Sequence, residues 1–237
     1  MRLSTGVVAL LAAAPLLAGC GSGSPGLARL DATQVGDLLR GGVLSPPDAE
    51  PRIVLTDTAG HRLDVRRDDG AKVTLVYFGY THCPDICPTT MADIAEALRE
   101  STPEVRRQVQ VDFVTVDPHR DRPEVLRRWL DRFDPSFVGL RGSLRQVVAA
   151  QRAAGVPVSK VERNGKAIEH STEVLAYTPD RFAHVIYFEG PSTIDDLRHD
   201  LPILVSAVAY GSCVTTAGRS ADCNDQARSV GTTDPVR

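Results

Sequence analysis

Two cysteines stand four positions apart in the segment Cys83-Pro-Asp-Ile-Cys87. The segment follows an apolar run typical of a buried strand, Val73 to Tyr80, and precedes a helical pattern that opens at Pro88. Backbone N–H groups at a helix N-terminus lower the pKa of a thiol and favour the thiolate. An i, i+4 pair on a first helical turn faces one way, so both sulfurs are predicted to bind one soft metal ion. The pair could also form a readily reduced disulfide, so a redox switch and an inert disulfide stay open as alternatives.

A metal site built on two thiolates usually needs a further donor. His170 is the candidate, and it stands in the segment Ile168-Glu-His-Ser171 between two predicted strands. Two sulfurs and one imidazole nitrogen suit copper, as Cu(I) or Cu(II). Zinc fits the ligand types, but a structural zinc ion usually takes four ligands. Spacing in the sequence does not show whether His170 reaches the cysteines.

The elements that must position these residues alternate between strand and helix patterns. Strands are predicted at 53–55, 63–65, 73–80, 109–116, 137–140, 156–161, 174–177 and 185–188, and Asn164-Gly165 predicts a turn. Helices are predicted from Pro88, from Pro123, from a Ser143 cap to Ala154, and from a Ser192 cap, with Pro202 bending the last helix or delaying its start. Trp129 is predicted to lie in the core. This order indicates an α/β fold with a central mixed sheet flanked by helices.

The N-terminal residues resemble a lipoprotein signal. Arg2 precedes a short apolar run that ends at Leu17-Ala-Gly-Cys20, and this ending resembles the bacterial lipobox. We therefore expect residues 1–19 to be a cleaved signal peptide and Cys20 to carry the lipid. The lipid would hold the protein at the outer face of the plasma membrane. The alternative is an ordinary secretory signal in which Cys20 is incidental.

The rest of the chain divides by composition. Residues 20–50 are rich in Gly, Ser, Pro and Ala and are predicted to form a flexible membrane tether. Residues 51–209 are predicted to form the metal-binding domain, and 42% hydrophobic residues suit one globular core. Residues 210–237 are predicted to be a polar tail with a Cys213–Cys223 disulfide, and a second metal site at these two cysteines is the alternative. The net charge of −3 gives no electrostatic basis for nucleic-acid binding.

The motifs around the cysteines resemble a known family. The segment from Gly79 to Thr90, GYTHCPDICPTT, resembles the signature of the Sco/SenC copper chaperones, and Asp117-Pro-x-Arg-Asp-x-Pro123 matches their second motif. His170 falls where the family's metal histidine is expected. The resemblance implies a thioredoxin-like fold with copper bound by Cys83, Cys87 and His170. It also implies delivery of copper to the binuclear copper site of cytochrome c oxidase subunit II, or reduction of that site's cysteines.

Further residues of the two motifs are predicted to hold the metal ligands and their loops in place without binding the metal. Asp85 is expected to orient the loop or His170, and Asp117, Arg120 and Asp121 to hold the neighbouring loop. His82 and His119 stand at variable positions of the motifs and are predicted to face solvent.

Two positions depart from the family pattern. Arg122 stands where the family usually has Thr, and the turn Pro179–Phe182 lacks the family's common Gly.

Two functions share these thiols. A metallochaperone would carry copper and hand it by ligand exchange to subunit II or another copper or thiol client. A thiol–disulfide oxidoreductase would instead use Cys83 and Cys87 as redox-active groups to reduce client cysteines. Replacing His170 separates the two functions, because only the first needs the imidazole. A peroxiredoxin-type peroxidase matches the paired cysteines poorly, and thioredoxin itself has two residues between its cysteines rather than three.

Overall fold

The structure is a computed structural model that describes residues 37–66, 73–161 and 168–215, with side chains up to residue 206. The strands are β1 (Gly42–Ala49), β2 (Val54–Asp57), β3 (Arg62–Asp64), β4 (Val73–Gly79), β5 (Val109–Thr115), β6 (Val138–Arg141), β7 (Lys160–Val161), β8 (Ile168–Glu169), β9 (Val174–Tyr177) and β10 (Phe182–Tyr187). The helices are α1 (Ile86–Glu100), α2 (Pro103–Arg107), α3 (Pro123–Leu130), α4 (Leu144–Ala153) and α5 (Thr193–Thr215).

One large mixed sheet organises the described residues. Its strand order is β1-β10-β9-β4-β5-β6-β2-β3, while β7 and β8 pair separately as a two-stranded sheet. The strand β4 runs parallel to β5 and antiparallel to β9. Every residue of β4 is buried, as expected for a central strand of apolar residues covered on both faces. The prediction of an α/β, thioredoxin-like fold with a mixed sheet is confirmed.

Helices pack against this sheet and against each other. α1 packs against α5, α5 also contacts β4 and β10, and α3 contacts β6. Trp129 of α3 is buried, with its ring 4.9 Å from the Phe113 ring of β5, so its predicted place in the core is confirmed. The predicted Ser143 cap is present, because its side chain accepts the N–H of Gln146 in a capping box. The helix start at Pro123 is also as predicted.

The first edge strand corrects the predicted tether of residues 20–50. Residues 42–49 form β1, which pairs with β10, so the domain begins before residue 51. Gly41, just before this strand, serves packing rather than flexibility, since a Cβ there would collide with the Val185 side chain. The buried carboxylate of Asp200 accepts the N–H groups of Arg40 and Gly41, which fixes the start of the strand. Prolines are tolerated because β1 lies at the edge of the sheet.

Three other element boundaries differ from the prediction. α1 begins at Ile86 rather than Pro88, so the proline occupies the first turn, where its missing N–H has no intrahelical partner to lose. The predicted strand 156–161 is reduced to β7 because the Gln151 side chain bonds the carbonyl of Pro157 and the N–H of Ser159. α5 continues through Pro202 to Thr215, into the predicted polar tail.

The turn that lacks the family's glycine adopts a left-handed backbone at Arg181, with φ 71°. The Arg181 guanidinium pairs with the buried carboxylate of Glu50 at 3.2 Å. The Asp180 carboxylate lies 2.7 Å from His184 Nε2 and accepts a 2.6 Å hydrogen bond from Thr178. Burial acts to raise the pKa of Asp180, but these hydrogen bonds outweigh it and hold the pKa below the ordinary 3.8.

Some predictions fall outside the described residues. They are the signal peptide, the lipidated Cys20, the Asn164-Gly165 turn and, for the Cys213–Cys223 disulfide, the side chain of Cys213 and the whole of Cys223. Among the residues that were searched, no helix is both long and apolar enough to cross a membrane.

Candidate metal centre

The topology brings Cys83, Cys87 and His170 to one edge of the sheet. The cysteine loop follows the carboxyl end of β4, and His170 lies just before β9. Because β4 and β9 are antiparallel, with Tyr77 opposite Val174, the end of one strand lies beside the start of the other. Residues 87 positions apart in the sequence therefore become neighbours.

The three donor atoms converge on one point. His170 Nε2 lies 3.3 Å from Cys87 Sγ and 3.7 Å from Cys83 Sγ, and all three atoms lie within 4.8 Å of one another. Cys83 is partly exposed and Cys87 is fully buried. Among the described residues, this group has the composition and closeness of a metal site. Two sulfurs and one nitrogen form a soft donor set, which suits copper.

The two thiols have opposite electrostatic environments. The Cys87 thiol donates to Cys83 Sγ, and the His170 imidazole and the N–H groups of Cys87 and Asp85 add to this effect. Together they lower the pKa of Cys83 to about 3, so it is a thiolate at neutral pH. Burial instead raises the pKa of Cys87 far above its ordinary value. The predicted thiolate is therefore present at Cys83, where the Cys87 thiol is the largest cause and the N–H groups at the start of α1 add to it. The prediction is wrong for Cys87, where loss of solvent dominates.

The imidazole of His170 is oriented by its other ring nitrogen. Nδ1 lies 2.6 Å from the carbonyl oxygen of Ser171, which places the proton of the neutral ring on Nδ1 and leaves the Nε2 lone pair facing the sulfurs. Burial acts to lower the pKa of His170. In the protonated ring, however, Nε2–H donates to the Cys83 thiolate and Nδ1–H donates to the Ser171 carbonyl, and these hydrogen bonds outweigh burial and raise the pKa.

The second motif lies against the start of the cysteine loop. The fully buried carboxylate of Asp121 accepts the N–H of Thr81 at 3.0 Å and the hydroxyl of Thr115 at 2.6 Å. The Thr81 hydroxyl donates to the same carboxylate at 2.5 Å. Arg141, which sequence reasoning missed, donates to the carbonyls of Pro118 and Asp121 and so holds the second motif in place. Asp121 is thus placed where it fixes the loop two residues before Cys83.

Asp117 and Arg120 form an ion pair beside the same loop. The Arg120 guanidinium carbon lies 5.7 Å from the centroid of the Tyr80 ring. Asp85, by contrast, is exposed, and its side chain makes no capping hydrogen bond with α1. It acts on the site through its backbone N–H, and His170 Nδ1 is oriented by Ser171.

The variable positions face outward. His82 and His119 are exposed, although His82 Nδ1 lies 3.1 Å from the Thr81 hydroxyl. Arg122 occupies the N-cap of α3 without a side-chain capping bond and pairs with Glu124 on the surface. The hydrogen bond that the family's Thr would make there is therefore absent.

Two residues of the first motif had no role in the sequence prediction. Gly79 leaves room for Cys87, since a Cβ there would lie 2.8 Å from its Sγ. Tyr80 lies with its ring centroid 5.5 Å from the His170 ring, edge to face. Tyr77 also donates its hydroxyl to Cys87 Sγ at 3.8 Å. In the sequence, these residues are marked only by their place in or next to the signature. Their contacts with Cys87 and His170 form only in the folded sheet.

Comparisons with known proteins agree with this arrangement. Residues 44–201 match the family described as SCO1/SenC. The human mitochondrial protein SCO2 homolog is 35% identical over 123 residues, which are 50% of this chain and 46% of that protein. The chain spans less than two thirds of the length of the first curated relatives it matches.

Solved structures share the fold. The solution structure of apo Sco1 from Thermus thermophilus has 32% identity and a TM-score of 0.61, covering 70% of this chain and 96% of that one. ScoI from Bradyrhizobium japonicum with copper bound has 30% identity and a TM-score of 0.55, covering 66% of this chain and 99% of that one.

Proposed function

Because the chain belongs to the SCO1/SenC family, we propose that it is an extracytoplasmic copper chaperone whose ligands are Cys83, Cys87 and His170. The observation that carries this proposal is the convergence of the two Sγ atoms and His170 Nε2 within 4.8 Å. The related ScoI structure holds copper, which supports copper as the cargo.

The donor set fits copper both in chemistry and in access. Thiolates and imidazole suit copper, as Cu(I) or Cu(II), and three ligands are fewer than a structural zinc ion usually takes. Three protein donors leave a coordination position for an incoming ligand, and Cys83 and His170 are partly exposed whereas Cys87 is buried. A client thiolate or imidazole therefore approaches from the side of Cys83 and His170 and replaces the chaperone's ligands one at a time.

Copper titration of the reduced full chain tests the ligand set. We expect a Cys-to-Cu(II) charge-transfer band, and His170→Ala should weaken copper binding by at least about 100-fold because it removes a direct ligand. His61→Ala is the matched control, since His61 is an exposed histidine of the β2–β3 turn. Absence of any copper–thiolate absorption on titration with either Cu(I) or Cu(II) would exclude copper, and full affinity in His170→Ala would exclude the three-ligand site.

The proposed client is the binuclear copper site of cytochrome c oxidase subunit II, or another copper or thiol site outside the cytoplasm. The family resemblance supports this client. We propose that the signal peptide of residues 1–19 is removed and that lipidated Cys20 anchors the protein at the outer face of the membrane, on the basis of the Leu17-Ala-Gly-Cys20 segment. Cys20→Ser should abolish incorporation of labelled fatty acid into the protein without changing copper affinity, and unchanged labelling would exclude this anchor.

The asymmetry of the thiols favours a second candidate function, reduction of client disulfides. The Cys83 thiolate would attack a client disulfide, breaking its S–S bond and releasing one client thiolate. Cys87 would give up its proton to that thiolate and attack Cys83 of the mixed disulfide, which releases the second client thiolate. The client gains two electrons, the chain is left with a Cys83–Cys87 disulfide, and an external dithiol must reduce it again.

One variant separates the two functions. His170→Ala should abolish tight copper binding yet keep most of the rate at which the reduced chain reduces a client disulfide. If His170→Ala lost both properties equally, the reductase function would not be independent of the metal site.

A further inference from the structure

The third donor of the metal centre belongs to a segment outside the main sheet. β8, which directly precedes His170, pairs with β7 in the separate two-stranded sheet. The two cysteines, in contrast, follow β4 at the centre of the large sheet. The pairing of β9 with β4 brings His170 to this edge of the sheet, and a contact between the β8 segment and the cysteine loop then adjusts the distance from His170 to the sulfurs.

Tyr80 makes this contact from both its backbone and its side chain. Its carbonyl accepts the N–H of Cys83 at 3.2 Å, which shapes the cysteine loop. Its hydroxyl accepts the N–H of Ile168 at 3.2 Å, which holds β8 against the loop. Its ring lies edge to face with the His170 imidazole, 5.5 Å between centroids. Tyr80 and Ile168 are both buried, so water does not readily replace this hydrogen bond.

The ring of Tyr80 is supported by the second motif. The Arg120 guanidinium lies over it at 5.7 Å, and the Asp117 carboxylate holds the guanidinium. Asp117 and Arg120 therefore act on the metal centre through the Tyr80 ring, without contacting the metal. They stabilise the ring that packs against His170.

We propose that Tyr80 is the positioning residue that sets the place of His170 relative to Cys83 and Cys87, with Arg120 and Asp117 acting through its ring. The expected effect of Tyr80 on copper binding rests on the proposed three-ligand copper site. The expected effect of Tyr80 on the metal-free protein does not depend on that site.

Tyr80→Phe tests the proposal because it removes the hydroxyl and keeps the ring. In the metal-free full chain, hydrogen exchange of the Ile168 amide should become about five- to tenfold faster, and the imidazole NMR signals of His170 should shift. Tyr187→Phe is the matched control, since it removes a buried tyrosine hydroxyl that donates to Asp200 at 3.1 Å. Unchanged Ile168 exchange and His170 signals in Tyr80→Phe would overturn the proposal, whatever metal the protein binds.

Copper affinity measured in a double-mutant cycle tests the route through His170. Tyr80→Phe alone should weaken copper binding about fivefold, the effect of one lost hydrogen bond. In a His170→Ala background the same change should have no further effect, because the group that Tyr80 positions is gone. An equal loss in both backgrounds would overturn the proposal. Full affinity in His170→Ala alone would instead contradict the three-ligand site, and the exchange experiment would still decide the role of Tyr80.

Discussion

Gly79 provides the sharpest test of how the fold shapes the metal centre. A Cβ on Gly79 would lie 2.8 Å from Cys87 Sγ, 2.9 Å from the Tyr77 ring and 3.0 Å from the Phe113 ring. Ordinary contacts begin at 3.4 Å, so Cys87 Sγ or the backbone must move by 0.6 Å (3.4 − 2.8). Metal–ligand distances tolerate only about 0.2 Å. Gly79→Ala should therefore disturb the metal centre as well as the core.

Gly79→Ala should have two effects, a loss of folding stability and a loss of copper affinity, and each is measured separately. Overpacking should lower the free energy of unfolding by about 1–3 kcal/mol. Displacement of one donor atom should weaken copper binding by about 10- to 100-fold, which is the range for changes that shift a ligand without removing it. Urea denaturation of the metal-free protein measures the first effect, and competition with a copper chelator measures the second.

Gly139→Ala separates these effects. A Cβ on Gly139 would lie 2.8–2.9 Å from the side chains of Leu126 and Leu130, so the crowding is similar but involves none of the proposed ligands. It should lose similar stability and keep full copper affinity. Gly190→Ala should change neither quantity, since nothing lies within 4 Å of its added Cβ. If Gly79→Ala bound copper as tightly as Gly139→Ala, the packing of Gly79 would not control the position of Cys87.

Three further predictions follow from the described geometry. Arg181→Gly should be about 1 kcal/mol more stable than Arg181→Ala in urea denaturation. Both variants lose the ion pair with Glu50, but only glycine is unstrained at φ 71°. Equal stability of the two variants would contradict backbone strain at this position. Asp180 has a folded pKa below 3.8, so its carboxylate stabilises the fold above that pH, and the contribution is lost as pH falls through the folded pKa. Asp180→Asn should therefore lower the free energy of unfolding by about 1 kcal/mol at pH 7. This loss of stability should become smaller below pH 3.8, and a loss that does not change with pH would refute this account. In the reduced, metal-free chain at pH 6, iodoacetamide should modify Cys83 much faster than Cys87, measured by peptide mass spectrometry, and equal rates would contradict the assigned asymmetry.

The sequence was sufficient to predict the elements whose patterns are local. The apolar run before Cys83 predicted the central strand, and Ser143 followed by Gln146 predicted a capped helix. β1 was missed because its glycines and prolines indicate flexibility when read locally. The start of this strand is fixed by Asp200, and Gly41 is required by the Val185 side chain; both residues are more than 140 positions away in the chain.

The chemistry of the cysteines divides in the same way. Their spacing, their place before a helix and the two motifs were enough to predict a soft-metal or redox site and to select His170 as a third donor. The tertiary structure decided that His170 reaches the sulfurs, because that depends on β9 lying antiparallel beside β4. It also decided that Cys83 is the thiolate and Cys87 the buried thiol. Helix-end effects act over one turn and are visible in a sequence, whereas burial is the sum of contacts from strands that are distant in the chain and adjacent only after folding.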